Sequence, residues 1–181
     1  GKIVEGLKSV LVAERQVLGW FKPIHPEWFS LSQFPVFNMT VTEGHFYGLP
    51  EYTDHGEVIG FKVGRYHHLE ESCDPDKVDR NLRFDDEALL RSFVEHYFSP
   101  AAAGPAIELK TCLFTNTPDE HFIIDHHPDY ENVFLAAGFS GHGFKFASVV
   151  GEIMADLVET GRTDHDIRMF RANRFSTHAS M

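Results

Sequence analysis

Glu57-Val58-Ile59-Gly60-Phe61-Lys62-Val63-Gly64-Arg65-Tyr66 alternates apolar and polar side chains around Gly60 and Gly64. That period of two is the mark of a half-buried β-strand. The segments on either side repeat the signal. Residues 34–41 (FPVFNMTV) and 45–49 (HFYGL) flank Thr42-Glu43-Gly44, a hairpin turn in composition. Residues 8–21 (KSVLVAERQVLGWF) carry the β-branched Val10, Val12 and Val17 and are predicted as one long strand or two short ones. Residues 22–33, with Pro23 and Pro26, read as a loop.

Downstream the period changes. Leu89, Leu90, Phe93, Val94 and Tyr97 recur at helical spacing, which predicts a helix over 86–97 with Asp85 as its cap. Strand-like stretches follow at 107–114, 120–125 and 133–138. A second helix is predicted from about 143 to 160, with Phe146, Val150, Ile153 and Leu157 as its apolar stripe and Gly161 as its stop. Ala147, Gly151 and Ala155 make a row of small residues that allows close packing against another backbone. The sum is a strand-rich α+β domain with two main helices.

Bulk composition narrows the function. The 181 residues are 43% hydrophobic and 24% charged, an ordinary globular balance. The 17 phenylalanines imply thick packing layers, or an apolar face that expects a partner. A formal charge of −11 argues against a nucleic-acid partner, which needs a basic face. Two cysteines, Cys73 and Cys112, leave a disulfide open without suggesting a secreted scaffold. No apolar run reaches membrane-spanning length, and Gly1–Leu7 resembles neither a signal nor a transit peptide, so the expected location is the cytoplasm. No G-x-G-x-x-G follows an early strand, so no dinucleotide-binding βαβ unit is visible.

Three places could carry chemistry. In Gly138-Phe139-Ser140-Gly141-His142-Gly143-Phe144-Lys145 a strand ends, glycines turn the chain and a helix begins. Free N–H donors and a helix dipole, with Lys145 beside them, would favour an anion; a plain tight turn is the other reading. Lys62, between Phe61 and Val63, either faces solvent or points into a closed site where its charge is costly and useful. Cys112 in its strand reads, on residue type alone, as an inert core residue. The pairs His67-His68 and His126-His127 read as surface or loop histidines rather than zinc ligands, because neighbours in a strand point to opposite faces. No metal site is expected, and the acidic Asp119, Glu120 and Asp125 read as structural.

Thr111-Cys112-Leu113-Phe114-Thr115-Asn116-Thr117-Pro118-Asp119-Glu120-His121-Phe122-Ile123-Ile124-Asp125 resembles the covalent-flavin segment of the monomeric sarcosine oxidase and N-methyl-L-tryptophan oxidase family. Gly138 to Phe146 with Ala147-Ser148 resembles that family's late flavin-facing turn. Phe46-Tyr47-Gly48-Leu49-Pro50 and Gly60-Phe61-Lys62-Val63-Gly64 resemble two more of its segments in the same order. The resemblance runs from about Ser9 to Phe175.

It implies a D-amino-acid-oxidase-like catalytic domain: a mixed, mostly antiparallel sheet with flanking helices. Residues 1–140 would form the substrate domain, and 141–181 a flavin-facing turn, helix and tail. It implies FAD linked through its 8α-methyl to Cys112, with Lys62 near the flavin ring as the catalytic cation that activates oxygen. Gly141, His142, Gly143 and Phe144 would face the flavin. Lys145 would pair with the substrate carboxylate, and Tyr47 and His67 would line the substrate pocket. Two departures stand out. Tyr66 occupies the place of a histidine four residues after the lysine, and His67 follows an inserted residue in Gly64-Arg65-Tyr66-His67. Phe114 stands where sarcosine-type members can have a tyrosine.

The implied substrates are small N-methyl amino acids, sarcosine or N-methyl-L-tryptophan, with oxygen as acceptor. Arg15-Gln16-Val17-Leu18-Gly19-Trp20 is closer to the tryptophan type and Asp74-Pro75-Asp76 to the sarcosine type, so both stay open. Family members begin with a dinucleotide-binding domain that this stretch does not include. The 181 residues are therefore expected to be a fragment, to hold no FAD alone, and to expose a face able to self-associate. A dehydrogenase or demethylase of the same superfamily, and a non-enzymatic remnant that binds a partner, are the alternatives.

Overall fold

The computed structural model describes Val4, residues 7–99 and residues 102–178. Its elements are β1 (Val12–Phe21), β2 (Phe37–Val41), β3 (Gly44–Asp54), β4 (Glu57–Arg65), β5 (Glu71–Ser72), α1 (Phe84–Tyr97), β6 (Ala106–Asn116), β7 (Ile123–His126), β8 (Phe134–Ala137) and α2 (Ala147–Thr160). The main sheet runs β2-β3-β4-β1-β5, and β6 also pairs with β1. The registers of β1 with β4, β2 with β3, and β3 with β4 are antiparallel. The expected α+β architecture is what forms.

Several expected boundaries move, each for a local reason. The first strand begins at Val12 rather than residue 8, because Val10 and Leu11 donate their N–H groups to Leu7 O and close a turn. β3 runs on to Asp54 through Pro50, where the register with β4 shifts between Leu49 and Tyr52; a bulge is where a strand tolerates a proline. The hairpin then closes at His55 and Gly56, both at positive φ (47° and 86°). The strand expected at 120–125 begins at Ile123, since Glu120 takes φ 59° and its N–H turns back to Thr117 O. Asp85 is not the cap of α1. The helix starts after Arg83, whose N–H donates 2.8 Å to the Asp86 carboxylate in the first turn. His67 and His68 sit in a turn beyond β4, not in a strand.

The chain divides into two compact units, Arg15–Leu113 and Gly1–Glu14 with Phe114–Met181. In the first, one face of the sheet packs on α1. Phe21, Phe46, Phe61, Val63, Leu90, Phe93 and Val94 are buried there, with Phe29, Phe34, Phe37 and Phe98 packed around them. Phe46 and Phe93 stack at 3.9 Å with an interplanar angle of 3°. Eight of the 17 phenylalanines lie in this layer. Burying each such ring stabilises by about 1.5–3 kcal/mol.

A buried ionic cluster pins the same unit. Arg15, 2% exposed, donates from Nη1 and Nη2 to both carboxylate oxygens of Asp86 (2.7 and 2.9 Å) and from Nε and Nη2 to the carbonyls of Asp79 and Asn81. His68 Nε2 lies 3.2 Å from Asp86 Oδ1, and the His68 N–H donates to Gln16 Oε1. Burial would raise the Asp86 carboxyl, but the Arg15 hydrogen bonds and the Arg83 amide outweigh it and hold the group below its ordinary value.

In the second unit, β7 and β8 form an antiparallel pair. Ile124 packs on Ile153 and Leu157 of α2, and Ile123 packs on the other side with Leu7, Val10 and Leu135. The expected α2 stripe is thus buried at Ile153 and Leu157, while Gly151 and Ala155 of the small-residue row are exposed. Asp125 accepts from Arg171 Nη1 and from the Ala172 N–H, and Asp119 from Arg174, so these carboxylates serve the fold.

Candidate functional site

The pleat of β4 sorts its residues. Phe61 and Val63 are fully buried against α1, so Lys62 and Gly64 take the opposite face of the sheet. The registers fill in that face. Trp20 of β1 and Leu49 of β3 lie opposite Lys62, and Tyr47 of β3 and Leu18 of β1 opposite Gly64. Tyr47 lies flat over Gly64: a Cβ built there would come within 2.6 Å of the Tyr47 hydroxyl. A side chain at position 64 would therefore have to displace that ring.

Lys62 is half-buried. Its Nζ lies 5.2 Å from the centre of the Trp20 ring, within cation–π range. Burial lowers its proton affinity, and the neighbouring Cys112 pushes it back up. The same cysteine acts on Tyr47, whose hydroxyl is raised well above its ordinary value, first by burial and then by Tyr66 and Cys112. Tyr47 is thus a neutral phenol at physiological pH. Its ring tilts against Tyr66 at 5.0 Å. Cys112 is a free, half-buried thiol that makes a weak contact to the Leu113 carbonyl at 3.7 Å. Neither Cys112 nor Cys73 is in a disulfide, so the bond left open by the sequence is not formed. Lys110, two residues before Cys112 on β6, also reaches the Trp20 ring, at 5.7 Å. His67 takes φ 55°, and its carbonyl accepts from Arg65 Nη1.

Lys62, Tyr47 and Cys112 therefore come together within the first unit. Sequence reasoning missed Trp20 and Lys110 in this group. The signal for Trp20 was its neighbour: with Phe21 in the core, Trp20 had to face the other way.

Gly141, His142, Gly143, Phe144 and Lys145 belong to the second unit. Gly138, Ser140 and Gly141 all take positive φ (66°, 46° and 77°), a left-handed run that only a well-anchored turn maintains. The anchors are visible. The Ser140 N–H donates to Thr115 O, Ser140 Oγ donates to Gly138 O, and Thr117 Oγ1 donates to His121 O. A Cβ on Gly141 would meet the Phe114 ring at 2.3 Å. His142 Nε2 donates to Glu120 O at 3.0 Å. The helix does not start at Gly143 as expected. Residues Phe144–Phe146 form a 3-10 turn, and α2 follows from Ala147, which moves its positive dipole end away from the glycines. Phe144 is 95% exposed, and exposed Lys145 holds its ammonium 5.4 Å over the Phe146 ring. Among the described residues no three His, Cys, Asp or Glu side chains gather as a metal site, and no helix is long and apolar enough to cross a membrane.

Comparison with known proteins bears on this arrangement. Residues 3–157 match the family described as FAD dependent oxidoreductase. The chain is 46% identical over 162 residues to monomeric sarcosine oxidase of Bacillus sp. strain NS-129, covering 88% of the chain and 40% of that protein. It is 38% identical to human peroxisomal sarcosine oxidase (94% and 43% covered) and 32% identical to N-methyl-L-tryptophan oxidase of Escherichia coli O139:H28 (89% and 42%). Its fold matches Amadoriase I of Aspergillus fumigatus with a TM-score of 0.71 at 18% identity, covering 93% of this chain and 39% of that one. It matches the amino acid oxidase NikD with a TM-score of 0.68 at 17% identity, covering 90% and 42%. The chain thus spans about 40% of the length of the curated relatives it matches. On the strength of that match through most of its length, the chain belongs to the FAD dependent oxidoreductase family.

Proposed function

We propose that these residues form the substrate-side part of an FAD-dependent amine oxidase acting on a small N-methyl amino acid, sarcosine or N-methyl-L-tryptophan. They would work together with further polypeptide, as their roughly 40% share of each relative suggests. The reaction would give the primary amine, formaldehyde and hydrogen peroxide. The observation that carries this reading is the placement of Lys62, Tyr47 and Cys112 on the non-core side of one sheet, near enough for Cys112 to act electrostatically on both others. A cation, a neutral phenol and a half-buried free thiol fit a flavin tethered at that thiol, since attachment needs a sulfur the ring can reach and the ring needs polar neighbours.

FAD, when bound, supplies the capacity to accept two electrons from the carbon beside the amine nitrogen. The residues of this chain would do the rest. Cys112 Sγ would fix the position of the ring through a thioether to its 8α-methyl. Lys62 would hold a positive charge where oxygen becomes negative as it is reduced. Tyr47, kept neutral, would donate its hydroxyl proton in a hydrogen bond within the substrate pocket. Lys145 would meet the substrate carboxylate, and Gly141, His142, Gly143 and Phe144 would border the ring. His67 would lie at the pocket's edge.

The test is a chimera in which residues 1–181 replace the matching part of the 46%-identical Bacillus sarcosine oxidase. Flavin colour should stay with the protein after acid precipitation, peroxide should form with an N-methyl amino acid, and Cys112→Ser should release the colour to the supernatant. A folded chimera whose flavin separates completely in both forms would refute the attachment site.

A further inference from the structure

We propose that the Trp20 indole is the platform that holds the Lys62 ammonium in place, which makes Trp20 a positioning residue for the charge at the flavin. The proposal rests on the reading of Lys62 given above.

Lysine carries its charge on a flexible four-carbon stem, and fixing that stem costs up to about 2 kcal/mol of rotamer entropy. Something must confine it if the charge is to act at one point. On β4 itself nothing can: the residues two before and two after Lys62 on the same face are Gly60 and Gly64. Confinement has to come from the neighbouring strands, which offer Leu49 on one side and Trp20 on the other. Leu49 is apolar and 41% exposed. Trp20 presents an aromatic face 5.2 Å from the ammonium.

The choice of partner matters chemically. Among the described residues, no carboxylate contributes to the state of Lys62; burial and Cys112 are the influences on it. A carboxylate at that distance would hold the ammonium and also cancel its field. An indole face attracts a cation through its quadrupole and leaves the net charge intact. Trp20 thus orders Lys62 without neutralising it. Lys110 touches the same ring at 5.7 Å but is paired with Glu108 at 3.0 Å and is 60% exposed, so its charge is already answered and screened. The two lysines on one indole are therefore unequal, and the unpaired one faces the pocket residues.

Reductive methylation of the 181-residue chain with ¹³C-formaldehyde keeps the lysine charge and labels every ammonium. Lys62→Met and Lys110→Met assign the two resonances of interest. The Lys62 methyl signal should be shifted upfield by the indole ring current, should return to the position of an exposed lysine in Trp20→Leu, and should keep part of its shift in Trp20→Phe. In the flavin-loaded chimera, Trp20→Leu should slow reoxidation of the reduced flavin by about tenfold, within the range a desolvated cation–π contact supports, and leave reduction by the amine unchanged. An unshifted Lys62 signal in the parent chain would overturn the contact. A shifted signal with an unaltered reoxidation rate in Trp20→Leu would overturn the positioning role. If Lys62→Met itself leaves reoxidation untouched while the ring-current shift is present, the function assigned to Lys62 fails and the Trp20 contact stands.

Discussion

Phe61 and Lys62 are consecutive in β4, yet the first is fully buried beneath α1 and the second lies beside Trp20 and Cys112 on the face that also carries Tyr47. The turn at Gly138–Gly143 holds, by a different route, the residues proposed to border the flavin. In β4 the pleat separates the jobs: one face supplies stability, the other carries the proposed site residues, and a residue on one can change without disturbing the other. In the turn the backbone itself is the device. Three of its residues sit at positive φ, and its shape depends on hydrogen bonds from Ser140 and Thr117. Stability and presentation cannot be separated there. A strand can therefore be tuned one residue at a time, whereas the turn must be kept or lost whole.

That contrast can be broken in three ways. The largest effect should come from Phe61→Ala, which removes a ring from the phenylalanine layer and should cost about 3–5 kcal/mol in chemical denaturation. Lys62→Met next to it should stay within about 0.5 kcal/mol of the parent chain. Comparable losses at the two positions would show that the faces of β4 are not independent. Gly141→Ala comes next. It forces a side chain to φ 77° and into the Phe114 ring, and should cost about 1–3 kcal/mol by the same measurement. A neutral result would mean that the turn relaxes and is no rigid frame.

The smallest effect concerns pH. His68 is buried beside Asp86, Arg15 and Arg65, and its proton affinity is lowered, first by burial and then by the two arginines, with Asp86 opposing them. A group whose folded value is depressed binds its proton more readily when unfolded. Its contribution is complete above the ordinary histidine range and fades as pH falls through it toward the folded value. The midpoint of thermal unfolding should therefore drop between pH 7 and pH 5, and His68→Gln should flatten the slope. An unchanged slope would remove His68 from the account.

The alternation in residues 57–66 made β4 legible, because one buried face forces period two on a strand. The same rule, carried to β1, would have exposed Trp20 once Phe21 was placed in the core. Other features were hidden for physical reasons. Pro50 read as the end of a strand because the bulge that accommodates it has no sequence mark of its own. Asp86, not Asp85, serves the start of α1, since its carboxylate also answers Arg15 from 71 positions earlier in the chain. A charged residue such as Arg15 reads as surface until its partners are known. Cys112 looked like an inert core thiol by residue type. Family likeness marked it, and in the structure its half-buried thiol lies near enough to act on Lys62 and Tyr47.

Arg15 also has a bearing on how the molecule fluctuates. Its guanidinium holds the carbonyls of Asp79 and Asn81 and the carboxylate that seats α1, while its own backbone lies in β1. Releasing any one of these leaves a buried charge with fewer partners, so fraying at the helix start is coupled to opening of the strand. Amide protons in both places then share one cooperative opening event, and the sheet that presents Lys62 keeps its shape for as long as that event is rare.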